Sequence, residues 1–355
     1  MLRAWPLEAQ KQFFENELHV PLKFEDDSRK YFPVSDKARD VRDALVNFAI
    51  RRGVIFQFDT SVKALERDGD HWRIDTMRGS VEADAVIVAT GGLSVTATGS
   101  DGTGLRIAEA LGHTLHPTYA ALTPLLADPP VHAGLAGVSL DVKIRAKWNN
   151  KVRTAQGGFL FTHRGYSGPA VLDISDVVTG ARVRGCAGAA DTGSQVPGAP
   201  VLRVQWGDLD ASAWEPLLTK GVGHVASLLG ASLPQRLVDQ LMYEANVPLE
   251  RRVSDLRRSE RIALLEKLTS YVLPWTSDEG YKKAEVTGGG VPLDDVDLKT
   301  LESRKAPGVY FCGEVLDAFG PIGGHNFSWA WATGRSAGLA AAGRHKAEGT
   351  RQKQS

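Results

Sequence analysis

The feature that most constrains the fold is a glycine-rich stretch near the carboxy terminus, set between an apolar segment and a helix of small residues. Residues 308–312 read GVYFC, which predicts a buried strand, and Glu314 follows it. Residues 320–324, GPIGG, then lead towards a helix that we predict over residues 329–342. A helix that starts beside glycines offers free backbone N–H groups and a positive dipole end to an anion. The pattern predicts an anion-binding site or, alternatively, a tightly packed terminal helix.

A second predicted strand ends in a similar way. Residues 85–89 are apolar at every position, which is typical of a central parallel strand covered on both faces, and Thr90-Gly91-Gly92 follows. Glycines after a parallel strand let the backbone approach a ligand at the carboxyl edge of the sheet. A tight strand-to-loop turn is the alternative. We expect the two strand ends, at Thr90 and Glu314, to lie side by side and to cup a ligand.

Composition restricts the class of protein. The chain has 355 residues, 43% hydrophobic and 24% charged, which is long enough for two or three domains. Its 42 basic residues balance 42 acidic ones, so we expect no nucleic-acid partner and no membrane partner. No segment approaches the roughly 20 apolar residues of a membrane span, and we expect a cytoplasmic protein. Cys186 and Cys312 predict ordinary buried thiols rather than a redox or zinc site.

Local periodicity predicts the remaining elements. Ser35 is a candidate N-cap of a helix over residues 38–49, which Gly53 ends. Strands are predicted over residues 54–58, 62–66 and 72–75. Residues 117–200 contain short β-prone pieces, whereas residues 208–274 have helical patterning.

One loop combines several groups that could transfer protons. Residues 161–168 read FTHRGYSG, and His163 and Tyr166 are the candidate catalytic residues on the substrate side. A structural β-turn is the alternative. Pro169 stands where the hydrolase elbow GxSxG requires its last glycine, which argues against a serine hydrolase. His113 and His116 could share a helix face, but no ligand partner stands nearby, so we predict no metal site.

These motifs together resemble one flavoprotein family. The stretches at residues 287–291 (TGGGV), 300–303 (TLES), 307–317 (PGVYFCGEVLD) and 323–326 (GGHN) resemble the carboxy-terminal signature of the BaiN-like family, also called the aminoacetone oxidase family. Residues 32–38, 89–99, 122–125 and 161–170 resemble its other characteristic stretches in the same order. The resemblance covers essentially the whole chain.

The resemblance implies an α/β fold in which an inserted β-barrel-like domain and a helical subdomain interrupt a Rossmann-like, three-layer ββα domain that binds FAD. The expected ranges are 1–116 and 277–345 for the two parts of the FAD-binding domain, 117–205 for the β domain, 206–276 for the helical subdomain and 346–355 for a polar tail. The implied activity is an FAD-dependent oxidoreductase for a small organic substrate, acting by amine oxidation or conjugated-carbonyl reduction. NAD(P)H is a candidate electron donor.

The resemblance also implies the cofactor contacts. Val62 would meet the adenine through its backbone. The strand ends would line the cofactor and its ribityl chain with Thr90, Gly91, Gly92, Gly313, Glu314 and Asp317, and the later loop would face the isoalloxazine ring with Gly323, Gly324, His325, Asn326 and Phe327. His325 departs from the aromatic residue expected there.

Members of the family begin with a strand, a GxGxxG turn and a helix, and we expect this chain to lack that first βαβ unit. Residues 102–107 match the turn locally, but they follow a Thr/Ser/Gly loop and predict a solvent-side helix start. Two alternatives stay open. The chain could be an oxidoreductase once the segment is supplied, or a non-catalytic fragment that needs a partner chain to hold FAD.

Overall fold

The computed structural model describes residues 2–26, 29–148, 151–183 and 199–352. In these ranges the strands are β1 Leu22–Glu25, β2 Lys30–Pro33, β3 Val62–Asp68, β4 His71–Thr76, β5 Gly79–Ala83, β6 Val86–Val88, β7 His116–Ala121, β8 Leu125–Leu126, β9 Ser139–Trp148, β10 Lys151–Phe161, β11 Gly165–Ser167, β12 Val201–Trp206, β13 Tyr271–Val272, β14 Ser277–Asp278, β15 Val286–Gly290 and β16 Val309–Phe311. The helices are α1 Leu7–Gln12, α2 Ala38–Arg51, α3 Thr103–Ala110, α4 Pro169–Val183, α5 Ala211–Lys220, α6 Val225–Gly230, α7 Gln235–Glu244, α8 Arg258–Thr269 and α9 His325–Gln352. A π-helical segment, Phe13–Glu17, continues α1.

The chain forms two compact units. The first unit comprises residues 1–118 and 289–355, and the second comprises residues 119–288. The mixture of strands and helices is that of an α/β protein. The boundaries of the four domain segments expected from the sequence stay predictions.

In the first unit, β6 and β16 form a parallel pair and β3, β4 and β5 form an antiparallel sheet. β16 is buried throughout and β6 is buried at its end, with Phe311 exposed by 0% and Val88 by 4%, whereas Ile87 of β6 is 39% exposed. Leu105 of α3 and Ala337 of α9 belong to the same apolar core. Burial of such side chains stabilises the fold by about 1.5–3 kcal/mol for each large aliphatic or aromatic residue.

The second unit is built on a seven-stranded antiparallel sheet of order β13-β12-β9-β10-β11-β8-β14. Alternate residues of β9, such as Ile144, face a core shared with α4 to α8, whereas Arg145 is exposed. That core includes the fully buried rings of Trp206, Trp214 and Trp275. One apolar core therefore spans the ranges that the sequence separated into a β domain and a helical subdomain.

Several local predictions were wrong. Residues 54–58 form no strand, and Ile55 is 86% exposed. An alternating apolar pattern cannot form a ladder where no neighbouring backbone pairs with it. Helix α2 has Lys37 as its N-cap, and Ser35 instead accepts a hydrogen bond from the Lys37 N–H at 3.4 Å.

The histidines at 113 and 116 do not share a helix face. Helix α3 ends at Ala110, because Gly112 takes a left-handed conformation with φ of 87°, and His116 begins β7. At the carboxy terminus, the predicted polar tail continues α9 as far as Gln352, and residues 353–355 lie outside the described residues.

Two further sequence expectations concern cysteines and membranes. Cys312 is a free, buried thiol whose pKa is raised to about 11 by burial, while Cys186 lies outside the described residues. In the described parts of the chain, no helix combines enough length with enough apolar character to cross a lipid bilayer.

Candidate functional site

The two strand ends that the sequence singled out lie side by side in the first unit. β6 and β16 pair in parallel with Val88 opposite Phe311, and the Cys312 N–H donates to the Val88 carbonyl at 3.1 Å. Thr90 and Glu314, which follow these strands, therefore emerge at the same edge. This arrangement confirms the predicted pairing and creates the carboxyl-edge position at which open α/β sheets bind ligands.

Gly313 is held in place by helix α9. Its N–H donates to the Thr333 hydroxyl at 2.9 Å, and its carbonyl accepts a hydrogen bond from the Trp329 indole N–H at 3.1 Å. With φ of 74°, Gly313 has the left-handed backbone that favours glycine. These contacts fix the direction in which the chain leaves β16 and carry Glu314 to the edge.

The loop before α9 leaves open space at the helix start. Gly324 has φ of 85°, and a Cβ built on it meets no atom within 4 Å. The Asn326 side chain closes the loop, because it accepts from the Gly320 N–H at 2.8 Å and donates to the Gly320 carbonyl at 3.1 Å. His325 and Phe327 are exposed, the latter by 66%. The first turn of this long helix therefore offers N–H groups and two flat rings to a ligand.

Asp317 joins three segments of the first unit. Its Oδ1 accepts from the Gly289 N–H at 3.0 Å, and its Oδ2 lies 2.6 Å from His116 Nδ1. The His116 side chain is 58% exposed, while that of Asp317 is 26% exposed. His116 is thus a residue of this region that the sequence did not assign to the site, because a contact across 201 residues leaves no local signal.

The Thr90–Gly92 segment lies next to the start of α3. A Cβ on Gly104 would overlap the Thr90 hydroxyl, so α3 packs tightly over the end of β6. The Gly102 N–H donates to the Gly92 carbonyl at 3.1 Å. A hydrogen bond from the Thr103 hydroxyl and one from its backbone N–H lower the pKa of Asp101. Residues 102–107 therefore open a helix, as the sequence predicted, but the predicted solvent-side position was wrong, because Gly102 and Gly104 are buried and Gly104 packs against Thr90.

The other predicted residues are distributed more widely. Val62 opens β3 and is half-buried against the core of the first unit. His163 is exposed at the turn between β10 and β11 in the second unit, whereas Tyr166, three residues later, is 0% exposed. Both remain predictions as catalytic residues.

The Tyr166 hydroxyl belongs to a buried polar network that sequence reasoning missed. It lies 2.8 Å from His132 Nδ1, and His132 Nε2 lies 2.9 Å from the Tyr271 hydroxyl. Tyr271 donates to Glu244 at 3.1 Å, and Lys267 donates to the same carboxylate at 2.9 Å. Burial is the main cause that raises the pKa of Tyr166, with the Glu244 charge second. Tyr166 is therefore neutral and covered.

A serine, a histidine and a carboxylate also line up in the first unit. His113 lies 2.8 Å from the Ser303 hydroxyl and 3.0 Å from Asp295. However, Ser303 is 4% exposed and its oxygen already accepts N–H bonds from Lys305 and Ala306. A nucleophile must reach a substrate, so this triad holds the loop before β16 in place and provides no hydrolase site.

FAD is the cofactor that the resemblance implies, and the residues of the first unit fit its flavin end. The open space at Gly324, the exposed first turn of α9 and the adjacent strand ends leave room for a ring and supply N–H donors. Glu314 and Asp317, which follow β16, supply carboxylate oxygens, whereas the Thr90 hydroxyl lies against Gly104 of α3.

This fold and this strand-end site define a Rossmann-type α/β protein. Residues 1–340 match the HI0933-like protein Rossmann domain family, and the chain belongs to that family. Its members include the BaiN-like and aminoacetone oxidase-like proteins, so the family resemblance drawn from the sequence is confirmed. The family binds FAD, which supports an FAD-dependent oxidoreductase.

Three relatives illustrate the range of the family. A protein of Escherichia coli strain K12 named ribosomal RNA dihydrouridine synthase is 33% identical over 303 residues, covering 84% of this chain and 70% of the relative. A Clostridium scindens protein named 3-dehydro-bile acid delta(4,6)-reductase is 32% identical, covering 88% and 75%. A Haemophilus influenzae protein named ribosomal RNA dihydrouridine synthase is 32% identical, covering 72% and 59%.

Proposed function

We propose that this protein is an FAD-dependent reductase of carbon–carbon double bonds conjugated to a carbonyl group, with NAD(P)H as electron donor. The observation that carries the proposal is the parallel pairing of β6 with β16, which brings Thr90 and Glu314 to one edge. FAD, when bound, supplies the ring that accepts a hydride, with its two electrons, and passes it on.

The names of the relatives favour reduction over amine oxidation, the other activity that the sequence left open. One name describes a synthase of dihydrouridine and another a reductase of a 3-dehydro bile acid. In uridine and in a 3-keto-4,6-diene steroid alike, the double bond is conjugated to a carbonyl. A single chemistry, in which one carbon gains a hydride and its neighbour gains a proton, would serve both substrates.

The residues of the chain would divide this work. The first turn of α9 would direct its positive dipole end at the bound flavin and stabilise the negative charge that develops there. Glu314 and Asp317 would accept hydrogen bonds from hydroxyl groups of the cofactor. For the proton we propose His163 or Tyr166, and the exposure of His163 favours the former.

The proposal predicts a reduced product in a direct assay. The chain with added FAD and NAD(P)H is incubated separately with a 3-keto-4,6-diene steroid, a uridine-containing RNA and aminoacetone. We expect one of the two conjugated substrates to gain two hydrogen atoms by mass spectrometry, with equimolar oxidation of the nicotinamide. Oxidation of aminoacetone without reduction of either conjugated substrate would refute the reductase.

A second candidate is a subunit whose FAD site is completed by a βαβ unit of a partner chain. One observation favours it. Ile87, in the middle of β6, is 39% exposed, whereas strands of parallel sheets are normally covered on both faces. Phe56 and Phe58, stacked at 5.5 Å between ring centroids, are also exposed in this unit.

The second candidate predicts weak discrimination between flavins. Without the pyrophosphate contacts of the added unit, the chain should bind FAD less than about 10-fold more tightly than FMN. Two charge-assisted hydrogen bonds of roughly 1.5–3 kcal/mol each would instead favour FAD by about 10²- to 10⁴-fold. Fluorescence titration with the two flavins measures the ratio, and a strong preference for FAD would exclude this candidate.

A further inference from the structure

The outer face of the seven-stranded sheet carries an unusual row of cations. Lys143, Arg145 and Lys147 alternate along β9 with the buried residues of the core, so they share the face opposite to it. Alternate residues of a strand are about 6.7 Å apart, which makes the row about 13 Å long. Lys143 is half-buried, and the other two are exposed.

The neighbouring strand adds a fourth cation in an unfavourable position. Arg203 of β12 lies directly opposite Arg145 in the antiparallel register. Like charges in this position destabilise a sheet. In the described part of the chain, no ion pair joins Lys143, Arg145 or Lys147 to a carboxylate. Asp141 shares this face of β9 two residues before Lys143, and Asp141 and Asp208 line a small cavity together with Lys143, Gln156 and Gln205, so two carboxylates flank the Lys143 end of the row.

The repulsion between these like charges is offset when an anion binds between the cations. The neighbours on the same face, Thr154 and Gln156 of β10 and Gln205 of β12, can donate hydrogen bonds to phosphate oxygens. The balanced total charge of the chain predicted no nucleic-acid partner. A sum over all residues, however, does not reveal a row of cations on one face.

We propose that this cationic row binds the phosphate backbone of RNA and holds an RNA substrate on the second unit. The inference rests on the proposed reductase function and narrows its substrate to RNA, in agreement with the names of two relatives. The cationic row would position the RNA without recognising its sequence, since contacts to phosphates carry no information about the bases.

The test is RNA binding by the full chain, measured by fluorescence anisotropy on a single-stranded RNA of mixed sequence. Replacing all three β9 cations (Lys143→Gln, Arg145→Gln, Lys147→Gln) should make the plot of log affinity against log salt about 2 units shallower. At about 0.1 M salt, affinity should fall on the order of 100-fold. The single variant Arg145→Lys should keep the wild-type salt dependence.

A matched triple variant controls for the lost charge. Lys220→Gln, Arg252→Gln and Arg258→Gln remove three exposed cations from the helical side of the same unit and should leave RNA binding within about 3-fold of wild type. Equal losses in both triple variants, or a wild-type chain that binds anionic phospholipid vesicles and no RNA, would overturn the inference.

Steroid reduction by the same variants separates this inference from the proposed function. If the wild-type chain reduces the steroid but does not bind RNA, the RNA-binding surface is refuted and the proposed reductase function stands. If the chain binds RNA through the β9 cations but reduces none of the substrates, the proposed reductase function is refuted and the RNA-binding surface stands.

Discussion

Replacing Gly324 by valine should abolish flavin binding. The glycine stands immediately before α9, and open space surrounds the position where a side chain would project. A branched side chain there would occupy the approach to the first turn of the helix, where we place the isoalloxazine ring. Flavin retained by the purified variant, and its affinity in a fluorescence titration, measure the effect.

The control for this variant is Gly53→Val. Gly53 has φ of 86°, almost the same as the 85° of Gly324, and its Cβ position is equally open, but it follows α2. Both substitutions impose a backbone strain of roughly 1–2 kcal/mol, so their thermal stabilities should fall together. Only Gly324→Val should lose flavin. Flavin content that is the same in both variants would contradict the assignment.

Replacing Glu244 by alanine should destabilise the second unit by about 3 kcal/mol, because it leaves His132, Tyr271 and Lys267 without their shared acceptor. Urea unfolding followed by tryptophan fluorescence measures the change. Glu215→Ala is the control, since Glu215 is 51% exposed and pairs with Arg261 at 3.6 Å. It should cost less than about 1 kcal/mol.

The same carboxylate predicts a pH dependence. Burial would raise the pKa of Glu244, but hydrogen bonds from His132, Gln240 and Lys267 outweigh it and hold the pKa at about 2, below the ordinary 4.5. Its contribution to stability is therefore fully present above pH 4.5 and is lost as the pH falls towards 2. The loss of stability over this interval should be smaller in Glu244→Gln. Identical acid profiles of wild type and variant would contradict the network.

Sequence patterns identified the strand ends because their signals are local. An uninterrupted apolar run predicted β6, and the same pattern followed by Gly313-Glu314 predicted β16. The family resemblance then assigned a flavin to the loop at Gly323 and Gly324. These features depend on residues that are close in sequence, so periodicity and glycine placement are sufficient to find them.

Contacts between distant residues could not be found in this way. The pairing of His116 with Asp317 and the network around His132 each join segments more than a hundred residues apart. A similar limit explains the false strand at residues 54–58, whose apolar pattern is real but whose backbone has no neighbour with which to form a ladder. Local patterns indicate which residues are buried and where turns lie, whereas the residues that each side chain contacts depend on the whole fold.

The most direct test of a flavin held at the ends of β6 and β16 is amide hydrogen exchange of the chain with and without FAD. We expect slower exchange in residues 89–92 and 313–327 when FAD is present, with the strongest protection at the first turn of α9. Protection confined to other segments, or none at saturating FAD, would contradict the site.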